Sequence, residues 1–153
     1  MKKFQFALQP VLEHRKRLEE QKQQTMAVRQ RAWEEAKREL DRLHEEFRSQ
    51  ARELRDRHVQ FDVEELRSRY AHIQFLDRTI DAQIKILAER QVALERARRD
   101  LVAASKDRKV VDKLKARRRS AHAAEELRVE QIELDDGNAR MEDRLARNAG
   151  GLS

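Results

Sequence analysis

The sequence predicts an all-α fold, a long antiparallel two-helix coiled-coil hairpin with a C-terminal helical extension, and three observations carry that prediction. Of 153 residues, 35 are Lys or Arg and 29 are Asp or Glu, against 39% hydrophobic and 5% aromatic residues. With a mean hydropathy of -1.00, the apolar side chains are too few to fill a compact core at ordinary packing density and must lie along a line. No Gly or Pro interrupts the chain between Pro10 and Gly137, so neither of the strong helix breakers punctuates it. Finally, apolar residues recur at every seventh position in two columns that mirror each other, which is the coiled-coil period.

The first helix follows Pro10. Its column is Met26, Trp33, Leu40, Phe47, Leu54 and Phe61, with Ala36 and Leu43 in the companion column. Arg, Glu, Ala, Leu, Lys and Gln dominate, all good helix formers. Acid-to-base pairs four residues apart, such as Glu13/Arg17, Glu34/Arg38, Glu53/Arg57 and Glu65/Arg69, add about 0.2–0.5 kcal/mol each.

A bend is expected at about 59–65. Poor helix formers gather there, and Asp62 with Glu65 has the spacing of a capping box. The second helix carries the column Leu66, Ile73, Ile80, Leu87, Leu94 and Leu101, with Tyr70 and Ile84 beside it. Folding at the bend would set Phe61 on Leu66, Phe47 on Ile80, Trp33 on Leu94 and Met26 on Leu101. Periodicity alone also admits one unbroken rod dimerised in parallel.

Past Leu101 the column turns polar at Arg108 and Lys115, as the companion column of the first helix does at Arg15, Lys22 and Arg29. A loosely zipped open end is therefore expected. Residues 106–119 hold eight basic and two acidic side chains, a balance of +6 that equals the charge of the whole chain. Facing Lys2, Lys3, Arg15, Lys16 and Arg17, this segment makes a positive pole suited to an acidic partner. At the bend, Phe75 and Leu76 fall off the main column and are expected to stay exposed. A later column, Leu127, Leu134 and Met141, extends past the hairpin. Asp135-Asp136-Gly137-Asn138 is expected to fray or end the helix, so residues 1–136 read as the hairpin and 137–153 as a frayed or disordered tail.

Catalysis is disfavoured. Cysteine is absent, and no glycine precedes Gly137 to let a backbone approach a phosphate. His14, His44, His58, His72 and His122 show neither an HExxH pattern nor i, i+4 pairing, so no metal site is expected. The adjacent pairs Glu34-Glu35, Glu45-Glu46, Glu64-Glu65 and Glu125-Glu126 diverge by about 100° on a helix and line no cleft. No catalytic, cofactor-binding or metal residues are assigned, no cofactor is expected, and the chain is not read as an enzyme. Specific nucleic-acid binding is also disfavoured, since no aromatic residue after Phe75 offers a stacking platform. No apolar run reaches the roughly 20 residues of a membrane span.

The opening Phe4-Gln5-Phe6-Ala7-Leu8-Gln9-Pro10-Val11-Leu12 resembles the start of the FliJ family, coiled-coil components of the bacterial flagellar export machinery. Ile73–Ile80 looks like that family's segment after the bend, and Arg108–Arg118 like its basic stretch. The resemblance implies a noncatalytic stalk that binds and stimulates the flagellar export ATPase ring and links it to the export gate membrane protein and to export chaperones. It also implies a cytoplasmic protein, peripheral at the cytoplasmic face of the inner membrane through its partners. Transferred position by position, gate binding falls on Leu43, His72, Leu76, Thr79 and Gln83, although His72 replaces an aromatic residue common in the family. ATPase-ring docking falls on Arg15, Arg17, Arg108, Lys109, Lys113, Lys115, Arg117, Arg118 and Arg119. The alternative from composition and charge alone is a structural coiled-coil dimer acting as a basic nucleic-acid or membrane-surface adaptor.

Overall fold

The structure, a computed structural model, describes residues 2–151. The part of the expected tail that falls on Leu152 and Ser153 lies outside them. Helix α1 spans Gln9–Arg57, a 3-10 turn covers His58–Gln60, and helix α2 spans Val63–Gly150. Among the described residues there is no strand, and no helix is long and apolar enough to cross a membrane. Pro10 sits in the first turn of α1, where its missing N–H would have had no intrahelical partner.

The chain forms two units, Arg17–Ser105 and Met1–Lys16 with Lys106–Ser153. In the first, the two helices pack antiparallel and form the hairpin. Its core cluster is Leu40, Leu43, Leu76 and Ile80, with Phe47 and Leu87 packed against it. Ala36, Leu54, Leu94 and Ala97 are also buried. Both columns contribute to this core, Leu40 and Phe47 from the first and Ile80 and Leu87 from the second.

The companion column of α2 differs from expectation. Tyr70 and Ile84 are exposed, whereas Leu76 is 2% exposed and belongs to the core. The seam follows residues three positions after the main column, Leu76, Gln83, Arg90 and Ala97, rather than four. Its two polar members break the apolar pattern that would have marked it, and both reach across the hairpin. Gln83 Nε2 donates to the Ala36 carbonyl at 3.2 Å, and Arg90 Nη1 donates to the Ala32 carbonyl at 2.7 Å.

The reversal occupies His58–Asp62, and α2 already begins at Val63, within the 59–65 stretch expected to bend. Phe61 is extended at φ -93, ψ 142, and a capping box starts α2: the Glu65 N–H donates to Asp62 Oδ1 at 2.8 Å and the Asp62 N–H to Glu65 Oε2 at 3.3 Å. Phe61 lies beneath two guanidiniums, Arg69 at 4.0 Å and Arg57 at 5.5 Å from its centroid. Glu53 holds both arginines, at 3.3 and 3.2 Å.

The other unit has a core of its own. Residues before α1 run without helix, and Phe6, Leu12 and Val111 form a buried cluster joined by Phe4, Leu8 and Leu114. Leu12 is 0% exposed. The expected loosely zipped end is corrected accordingly: beside Arg15, Arg108 and Lys115, apolar side chains of the leading segment pack on Leu12, Val111 and Leu114.

α2 continues through Asp135–Asn138 to Gly150, so the expected helix end is not there. One interior glycine costs only about 1 kcal/mol, and no described glycine has positive φ. Every residue from 127 to 151 is exposed.

Candidate docking surfaces

The basic segment of α2 divides into side chains already engaged and side chains turned outward. Arg15 Nη1 donates to the Asp107 carbonyl at 2.7 Å, Lys115 Nζ to Gln9 Oε1 at 2.8 Å, and Arg108 pairs with Asp112. Arg118 stands 5.7 Å from the Phe6 centroid and Arg119 5.5 Å from that of Phe4, while Phe4 also meets the His122 ring at 5.6 Å. Such cation–π contacts are worth about 0.5–1 kcal/mol each at exposed sites. Arg118, Arg119 and His122 thus tie the leading segment to α2, and Arg15 and Lys115 tie the start of α1 to it. The expected face-to-face repulsion of like charges is thus relieved by carbonyl, amide, carboxylate and aromatic partners.

Lys106, Lys109, Lys113 and Arg117 remain. Their spacing of three, four and four residues puts them on one face of α2, and all four are exposed. A stripe of exposed ammonium and guanidinium groups is suited to bind carboxylates or phosphates, and its attraction falls with ionic strength. Arg17, the ninth residue of the expected set, is exposed on α1 within the hairpin unit.

Near the bend, the five residues assigned to gate binding separate into core and surface. Leu43 and Leu76 are buried together, so the expected exposure of Leu76 is overturned. Gln83 is held across the hairpin, and Thr79 Oγ1 donates to the Phe75 carbonyl at 2.8 Å. His72 is partly exposed. Its Nε2 lies 3.3 Å from Glu46 Oε1 and its ring stacks on Phe75 at 6.4 Å. Phe75 is exposed as expected, and Val59, Val63 and Tyr70 are exposed too. His72 and Phe75 therefore adjoin on one face of α2, while Tyr70, about 140–160° round the helix from them, lies on another.

Two carboxylates on these helices are tuned by neighbours. The Arg42 guanidinium, hydrogen-bonded at 2.7 Å, holds Glu39 below the usual carboxylate range. Arg128, at 2.6 Å, does the same for Glu125. Among the described residues no group of three or more His, Asp or Glu side chains could hold a metal ion.

Sequence reasoning missed the role of Phe4, Phe6 and Leu8. Their alternation before Pro10 has a period of two, the pattern of an extended segment with one apolar face, and it was the signal available. Together with the hairpin, this packing defines an all-α protein built on a long helical hairpin. Residues 4–145 match the family described as Flagellar FliJ protein, and the chain belongs to that family. It is accordingly a flagellar protein-export component. No curated protein matches the chain. Among solved structures it is similar to a YscO homologue from Chlamydia trachomatis, at 19% identity and a TM-score of 0.46, covering 99% of this chain and 100% of that one.

Proposed function

We propose that the chain is a noncatalytic stalk that docks on and stimulates the flagellar export ATPase, and that links it to the export gate and to export chaperones at the cytoplasmic face of the inner membrane. The observation that carries this reading is the outward stripe of Lys106, Lys109, Lys113 and Arg117 on α2, in a protein of the FliJ family. An acidic surface on the ATPase is its complement, and no nucleotide or cofactor on this chain is needed. Gate contact is assigned to His72 and Phe75.

The test is a titration of ATPase activity with the wild-type chain and with the triple variant K109E/K113E/R117E. These positions are exposed and clear of the packed leading segment, so helicity by circular dichroism should be unchanged. Stimulation should weaken by at least about tenfold in half-maximal concentration, with a steep salt dependence in the wild type. Unchanged stimulation would refute the stripe as the docking site.

A further inference from the structure

The far part of α2 carries a second surface of opposite sign. Leu127, Leu134, Met141 and Leu145 are spaced seven, seven and four residues apart, which lines them along one helix face, and they are 62–67% exposed. Residues 125–136 hold six acidic side chains against the single Arg128, a balance of -5. Glu125 and Glu126 are engaged by Arg128 and His122. Among the described residues Glu130, Glu133, Asp135 and Asp136 meet no basic side chain, and Asp135 accepts a hydrogen bond from Gln131 Nε2 at 3.3 Å. Glu130 and Asp135 sit at the two flanking positions of the apolar stripe, where coiled-coil partners exchange charge.

We propose that this face of α2, residues 127–145, is a docking surface for a basic amphipathic helix of another protein. An acidic helix with an apolar stripe is complemented by a helix with apolar core positions and Lys or Arg beside them. The sign excludes a nucleic acid or an anionic membrane. A second copy of the chain is a poor occupant, because Val111 and Leu114 of its basic segment are covered by Phe4, Phe6 and Leu8, and a single exposed valine, Val110, makes no apolar stripe there. Stability gives a further argument: a lone helix containing Asp135, Asp136, Gly137 and Asn138 is marginal in water, and a partner on the stripe would offset that cost. This inference stands apart from the ATPase reading, since it uses neither the basic stripe nor the bend.

The probe is a fluorescent synthetic peptide of three heptads with Leu at core positions and Lys beside them, titrated with the full chain and followed by anisotropy. Binding should be lost in Leu134→Ser/Met141→Ser and weaken about tenfold in Glu130→Lys/Asp135→Lys. A peptide with Glu in place of Lys should recover binding to the charge-reversed variant. Equal binding of a peptide with scrambled sequence, or binding unchanged by either double variant, would overturn the proposal. So would sedimentation showing a dimer of the free chain that Leu134→Ser/Met141→Ser dissociates, since the face would then pair with itself. Failure here leaves the ATPase titration intact, and the reverse also holds.

Discussion

Gln83 and Ala36 are joined across the hairpin by a hydrogen bond of 3.2 Å from the Gln83 side-chain amide to the Ala36 carbonyl. With Arg90 reaching the Ala32 carbonyl at 2.7 Å, it fixes how far one helix slides along the other. Both acceptors are carbonyls within α1, so the polar side chains specify alignment more than they add stability. Gln83→Leu should therefore raise stability by about 1 kcal/mol from added apolar burial, read as a higher urea midpoint, and a fall in midpoint would show the hydrogen bond to be the larger effect.

Leu76 lies in the hairpin core at 2% exposure, so its truncation leaves a cavity. Leu76→Ala should cost about 2–5 kcal/mol, read as a lower urea midpoint of the 222 nm signal. Leu76→Asp should be worse, because a carboxylate there has no partner. A midpoint unchanged by either substitution would place the side chain on the surface.

Asp62 begins α2 by accepting the Glu65 N–H at 2.8 Å. Its replacement by Ala should cost about 1 kcal/mol, and Asp62→Asn should recover most of that loss. The readout is hydrogen exchange at the amides of Glu64, Glu65 and Leu66, which should quicken in Asp62→Ala and not in Asp62→Asn.

Phe6 joins Leu12 and Val111 in a buried cluster. Phe6→Ala should free the leading segment, so that limited proteolysis cuts before Leu12 far sooner while the hairpin keeps its protection. Equal resistance in wild type and variant would count against the cluster.

Glu39 and Glu125 are held below the ordinary carboxylate value of 4.5 by Arg42 and Arg128. A folded-state value below the unfolded one favours folding above about pH 4.5, and the contribution is lost as pH falls through the lower folded value. Melting temperature should decline across that acidic window. Glu39→Gln/Glu125→Gln should show a shallower decline, and an identical slope would mean that these pairs contribute nothing.

The helical hairpin was legible because its signals repeat. Two columns of period seven, the missing helix breakers and the Asp62/Glu65 spacing each point the same way, and periodic signals survive local exceptions. The companion column of α2 was not legible, since Gln83 and Arg90 interrupt it with polar groups whose partners are backbone carbonyls, and no sequence pattern announces those. The same limit hid Leu76 in the core. In the basic segment the sequence located the charge but not its division: only packing separates Arg118 and Arg119, laid over phenylalanine rings, from Lys109, Lys113 and Arg117 on the free face. The helix beyond Gly137 was hidden because a single glycine weakens a helix without forbidding it.

The reversal at His58–Asp62 is made without a glycine, without a proline and without positive φ among the described residues. Its closure relies on Asp62, Glu65 and the Glu53-anchored arginines, all of which lie within about three helical turns of the tip. The arms and the tip are consequently separable parts. Excising one matched heptad from each side would shorten the hairpin like a ruler losing one division, with the corner left as it was.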